Sequence, residues 1–168
     1  MGPRDQTHGS DQELFAVWMS EHRGIIIKIV RGFTSNPANA EDLTQEIALA
    51  LWRSIPSFRG DSKASTWIWR IALNQAISSK RSSREAHAAL DDVDEPTTTD
   101  QSNDVVSVEA IYSAIQTLAP VDRSLIMLSL EGASYAEISE ITGLTVTNVG
   151  ARLSRARSRL TQQMERTR

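Results

Sequence analysis

The chain of 168 residues contains no cysteine, so neither a disulfide framework nor a thiolate zinc site can form. Its three histidines, His8, His22 and His87, are scattered and make no metal cluster. No apolar run approaches the roughly 18 residues that read as a membrane span, and no secretory leader pattern opens the chain. No stretch shows convincing period-two alternation, so strands are not expected. Nothing groups into a nucleotide, metal or nucleophile site. These absences exclude a disulfide scaffold and a thiolate zinc protein, and they argue against a membrane span. They leave the expectation of an all-α, soluble cytoplasmic protein with no cofactor.

The net charge of −3 conceals a division. Residues 85–109 hold eight acids and no Lys or Arg, whereas residues 1–84 carry +3 and residues 110–168 carry +2. Two mildly basic halves thus flank one acidic segment, and an asymmetry of this kind speaks of partners rather than of fold. The acidic stretch, DDVDEPTTTDQSND, is too poor in apolar residues to pack. It reads as a flexible linker over 85–106 between a domain at 10–84 and a second at 107–163. At this size each half is a small helical unit of marginal stability alone.

The most informative stretch is Ser134–Leu160. Ser134 and Glu137 have the spacing of a capping box, which predicts a helix from Tyr135. Ile138 and Ile141 supply its apolar stripe, and Gly143 suits the left-handed residue that ends it. Thr145 is an N-cap for a second helix bearing Val149, Leu153, Ala156 and Leu160 on one face. At ~100° per residue the opposite direction runs through Thr147, Ala151, Ser154 and Ser158, with Arg155 and Arg157 flanking it. Small residues there allow close approach to base edges, while arginines reach phosphates or guanine. The pattern is that of a helix-turn-helix, whose second helix enters the major groove; the plainer reading is a helical hairpin with a solvated basic face. Arg152 sits nearer the core edge, suited to packing or a phosphate. Gly150 is anomalous, because a helix-interior glycine costs about 1 kcal/mol relative to alanine.

Earlier in the chain, Ser10 with Glu13 predicts the start of a helix of about twenty residues. Asn36-Pro37 predicts the next, with Leu43, Ile47 and Leu51 inward and Glu41 and Asp42 in its first turn, where acids suit the helix dipole. Phe58–Ser62 is a loop by composition. A third helix runs from about Lys63 to about Arg81, with Trp67, Ile68, Ile71 and Ala72 inward. Trp69, Arg70, Asn74, Lys80 and Arg81 are expected outward on it. The second half reads as four short helices, with breaks at Ala119-Pro120 and Gly132. The expected fold is therefore all-α, three helices and then four.

Three blocks carry a resemblance that covers roughly residues 10–163. Asn39-Ala40-Glu41-Asp42-Leu43-Thr44-Gln45-Glu46 is similar to the AEDLxQE signature of sigma region 2. Phe58-Arg59-Gly60-Asp61 followed by Thr66-Trp67-Ile68-Trp69-Arg70-Ile71-Ala72-Leu73-Asn74 is similar to that region's F-x-G…TW-L-x-x-I-A-x-N pattern. Tyr135-Ala136-Glu137-Ile138 through Arg152-Leu153-Ser154-Arg155-Ala156-Arg157 is similar to region 4's Y-x-E-I-A…V-x-x-R-L-x-R-A-R. In order and register, they resemble the extracytoplasmic-function group of bacterial RNA polymerase sigma factors.

The resemblance implies binding to core RNA polymerase and promoter DNA, with an anti-sigma factor as a further expected partner. Glu41, Asp42, Gln45, Glu46 and Leu49 would dock on a coiled coil of the polymerase. Phe58, Arg59, Asp61, Lys63, Trp69, Arg70, Asn74, Lys80 and Arg81 would handle the −10 element, since strand opening draws on aromatic stacking over a basic track. Trp67, on the core stripe, is expected to pack instead. Thr147, Asn148, Ala151, Arg152, Ser154, Arg155, Arg157, Ser158 and Arg159 would meet the −35 duplex. Asn39 stands where many members have Asp, Ser139 where Ala is usual, and Gly150 where Lys or Arg is frequent. The acidic linker would imitate nucleic acid near the polymerase channel, or serve simply as a solubilising tether. The rival reading is a helix-turn-helix regulator that is not a polymerase subunit, but residues 1–84 show neither a ligand-pocket nor a receiver-domain pattern. A helical adaptor imitating a sigma factor is disfavoured by the arginines of the last helix.

Overall fold

The computed structural model describes residues 4–88 and 108–166, and every regular element among them is helical. The first half comprises α1 (Arg4–Glu21), α2 (Arg23–Phe33), α3 (Pro37–Ser54), a 3-10 turn at Ile55–Ser57 and α4 (Ala64–Ala88). The second comprises α5 (Val108–Gln116), α6 (Pro120–Leu130), α7 (Tyr135–Thr142) and α8 (Val146–Arg166). Residues 89–107, which make up most of the acidic segment, lie outside the described residues.

Several boundaries follow from local chemistry as expected. The Asn36 side chain accepts the Asn39 N–H at 2.8 Å, with Pro37 opening α3. Gly132 and Gly143 take φ values of 79° and 74°, which end the preceding helices without a Cβ penalty. Others depart from expectation. The single helix predicted from Ser10 is two helices, and the first begins upstream, so Ser10 is an interior residue and not a cap. The break falls at His22, whose ψ of 15° leaves the helical region, and Gly24 just beyond it is a poor helix former. The first half therefore has four α-helices rather than three. Helix α3 begins early enough that no acid lies in its first turn, so Glu41 and Asp42 do not serve the dipole there. Helix α4 continues to Ala88, past its predicted end near Arg81.

Trp18, Ile29, Ile47, Leu51 and Ile68 are fully buried in the first half, and Leu125, Leu128, Ile138, Val149 and Leu153 in the second. Each such aliphatic side chain contributes about 1.5–3 kcal/mol by leaving water. Phe58 bridges two indoles, edge-on to Trp18 at 5.1 Å and to Trp67 at 5.5 Å. Trp67 also donates Nε1–H to Ser54 Oγ at 3.0 Å, so it packs as expected. The two halves share one connected apolar cluster. Helix α2 lies against α5 and α6, and α4 lies against α6 and α7. This contact overturns the outward placement of Trp69, which is only 7% exposed. Helix α4 is covered on two sides, by α2 and α3 and by the second half, so its buried arc is wider than a single-domain stripe.

Candidate nucleic-acid interface and docking face

The helix-turn-helix is assembled by reciprocal local bonds. Ser134 N–H donates to Glu137 Oε2 at 2.8 Å, and Glu137 N–H donates to Ser134 Oγ at 3.2 Å, completing the capping box. The bonds to Ser134, backbone first and hydroxyl second, hold the Glu137 carboxyl below its usual range, with Lys63 a smaller contributor. At the turn, Ser139 Oγ–H donates to Leu144 O at 2.6 Å. The Thr145 hydroxyl accepts the Asn148 N–H at 3.3 Å and starts α8. Ser139 thus pins the turn by a bond that alanine lacks, a role the sequence alone did not reveal.

Val149, Leu153 and Ala156 are buried, which turns Thr147, Asn148, Ala151, Ser154, Arg155 and Ser158 outward as one exposed surface. The arginines of α8 then separate by partner. Arg152 Nε donates to Asp122 Oδ1 at 2.8 Å, and Arg159 lies 3.8 Å from the other oxygen of the same carboxylate. Arg157 donates to Ser129 Oγ at 2.7 Å. These three tie α8 to α6, whereas Arg155 is exposed with no hydrogen bond or ion pair among the described residues. Gly150 lies close under the Tyr135 ring, and a Cβ there would stand 3.3 Å from it, a tight contact that the ring would have to relieve. The glycine lets α7 and α8 approach closely at their first turns.

On α3, Glu41, Asp42, Gln45 and Leu49 are exposed, Leu49 at 53%. Gln45 Nε2 reaches Glu41 Oε1 at 3.5 Å, a contact along the surface of its own helix. Glu46 turns sideways and accepts Gln75 Nε2–H from α4 at 3.2 Å. Asp42, Gln45 and Leu49, spaced i, i+3, i+7, therefore form a face that packs on no other element among the described residues: one carboxylate, one amide and one apolar group presented together.

The −10 candidates are less uniform. Gly60 takes φ 76° in the loop, and Arg59, Asp61 and Lys63 are exposed around it. Asn74 is exposed in the middle of α4, so neither capping nor a core bond accounts for it. Arg81 is exposed and Lys80 half-buried. Phe58 and Trp69 are held in packing, and Arg70 donates to Glu140 O at 3.1 Å, with the Glu140 carboxylate at 3.9 Å.

A helix-turn-helix whose second helix turns a basic face outward, on the same chain as a four-helix unit, defines a helical protein of the transcription-factor class. Residues 18–86 match the model of sigma-70 region 2, and residues 108–160 match that of sigma-70 region 4. The chain belongs to the extracytoplasmic-function group of sigma factors: it is an RNA polymerase sigma factor, which directs promoter-specific initiation. It is similar to the ECF RNA polymerase sigma-E factor of Haemophilus influenzae, at 26% identity with 96% of this chain and 93% of the relative aligned. Similarity to the RNA polymerase sigma-H factor of Pseudomonas aeruginosa is 25%, over 96% and 91%. Among solved structures, it resembles the sigma factor RpoE in complex with the anti-sigma factor NepR from Bartonella quintana. That match has a TM-score of 0.69 and 26% identity, covering 94% of this chain and 97% of the other.

Proposed function

We propose that the two halves divide the work of initiation. Residues 10–84 dock on core polymerase through Asp42, Gln45 and Leu49, with Glu41 beside them, and open the −10 element with the Gly60 loop and α4. Residues 107–163 hold the −35 duplex through the outward face of α8. The protein acts by binding and not by catalysis, in the cytoplasm, where polymerase and DNA meet. An anti-sigma factor is a further partner, as in the complex of RpoE with NepR. No helix among the described residues is long and apolar enough to cross a membrane.

The observation that carries this reading is the partition of the α8 arginines. Arg152, Arg157 and Arg159 have partners on α6, and Arg155 is left free beside a strip of small residues. Arg155→Ala is expected to weaken binding of −35 duplex DNA by about 1–3 kcal/mol, roughly ten- to a hundredfold, with an unchanged melting temperature. Arg152→Ala is expected to lower the melting temperature instead, because it leaves the largely buried Asp122 carboxylate with only the distant Arg159. Fluorescence anisotropy on a labelled promoter duplex, paired with thermal melts, reads both. Equal loss of affinity in the two variants without loss of stability would remove the distinction.

A further inference from the structure

Helix α8 carries five arginines and a single acid, Glu165, yet a largely buried carboxylate of α6 offsets part of that charge. At ~100° per residue, Arg152, Arg155 and Arg159 share one edge of α8, between the buried stripe and the outward strip of small residues. Asp122, in the first turn of α6, faces this edge. Its Oδ1 accepts the Arg152 Nε–H at 2.8 Å, and its Oδ2 lies 3.8 Å from Arg159 Nη1. The second contact is long, and the Arg159 side chain is 64% exposed, so it adds little to stability. Its consequence is electrostatic. The Asp122 side chain is only 13% exposed, and its field is screened less than that of a surface acid. One carboxylate thus stands against an edge of three guanidinium groups and cancels one of their charges. On the far side of the buried stripe the situation differs. Arg157 donates to a neutral hydroxyl, Ser129 Oγ, and keeps its full charge.

An acid in the first turn also suits the dipole of α6, but that role has no need of arginines from the DNA-facing helix. The placement matters for duplex binding. Each phosphate that a protein neutralises releases counterions and steepens the fall of log K with log salt by about 0.9. Such contacts position a protein on DNA without reading its sequence. A fixed carboxylate at the edge of α8 subtracts from this attraction. It leaves untouched the outward strip and Arg155, which has no partner among the described residues. The net charge of −3 on the whole chain acts in the same direction at longer range.

We propose that Asp122 is a specificity-determining residue: it restrains sequence-independent binding of α8 to duplex DNA, so that base contacts supply a larger share of the affinity. The statement about base contacts rests on the proposed −35 reading; the restraint itself does not. Fluorescence anisotropy of the full-length chain on a random-sequence duplex, titrated with salt, tests it. Asp122→Asn keeps the side-chain shape and an oxygen for the Arg152 Nε–H, and removes only the charge. It should bind severalfold tighter at about 50 mM salt, with a slope steeper by about 0.9, the equivalent of one further phosphate. An Asp122 of purely structural importance would shift the melting temperature and leave the slope where it was. Ser129→Asp sets a second carboxylate beneath Arg157 and should do the reverse, weakening binding and flattening the slope by a similar amount. An unchanged slope in an Asp122→Asn chain that melts like wild type would overturn the proposal. Where that variant melts early, an unchanged slope in Ser129→Asp overturns it instead. The random duplex carries no promoter, so these slopes decide the restraint whether or not the second half reads a −35 element. The Arg155→Ala comparison on promoter duplex decides that reading separately.

Discussion

Replacing Asp42 and Gln45 together by alanine is expected to weaken binding to core polymerase by roughly thirtyfold or more while leaving the fold intact. The fold is spared because neither side chain packs on another element. Asp42 is exposed, and among the described residues the only side-chain bond of Gln45 is a 3.5 Å contact with Glu41 on the same helix. Alanine is also a better helix former than either residue. The affinity loss follows from what a docking surface does to such groups. Truncating one member of a hydrogen-bonded charge pair that becomes buried costs about 2–5 kcal/mol, since its partner is left desolvated, and each 1.4 kcal/mol is tenfold. Leu49 adjoins them with half its surface exposed, an apolar neighbour that would exclude water from the pair. Competition between labelled wild-type chain and the double variant for core polymerase measures the effect. A loss of helicity in parallel would show that the two residues act through the fold instead.

Leu153→Ala is expected to unfold the second half with little effect on the docking proposed for α3. Leu153 is fully buried, at the centre of the α8 stripe between Val149 and Ala156. Truncation of such a leucine costs about 2–5 kcal/mol, comparable with everything a helical unit of about 60 residues has to lose. The shared apolar cluster offers only partial shelter, because the first half packs mainly on α5, α6 and α7, and α8 packs on those helices. Thermal melts should show the second half unfolding well below the wild-type transition. Affinity for −35 duplex should vanish, and affinity for core polymerase should change by less than severalfold. A cooperative, wild-type melt would mean that Leu153 can be replaced by collapse of its neighbours.

These expectations separate what sequence can carry from what it cannot. The helix-turn-helix was legible almost residue by residue, because its determinants are local: Ser134 with Glu137, Gly143, Thr145 and the stripe through Val149 and Leu153 all act within one or two turns of chain. Asn36-Pro37 was legible for the same reason. Two local signals misled. Ser10 and Glu13 have capping-box spacing inside a helix that begins earlier, and the break at His22 carries no proline or strong turn signal. The larger errors were tertiary. Trp69 has an outward position if α4 faces one neighbour, and it is buried because α4 faces two. Nor could spacing reveal that Asp122, thirty residues from Arg152, engages both Arg152 and Arg159, or that the Tyr135 ring lies close over Gly150. The division of the α8 arginines into three that tie α8 to α6 and one, Arg155, without a partner among the described residues emerges only from three-dimensional contacts.

The central claim is that this chain confers promoter specificity on polymerase through two separate faces. Run-off transcription tests it most directly, with the purified chain added to bacterial core polymerase over a library of promoter templates. The account predicts discrete start sites that appear only with the chain and disappear with the Asp42→Ala/Gln45→Ala variant. Templates that stay silent while the chain still binds duplex DNA without polymerase would contradict it.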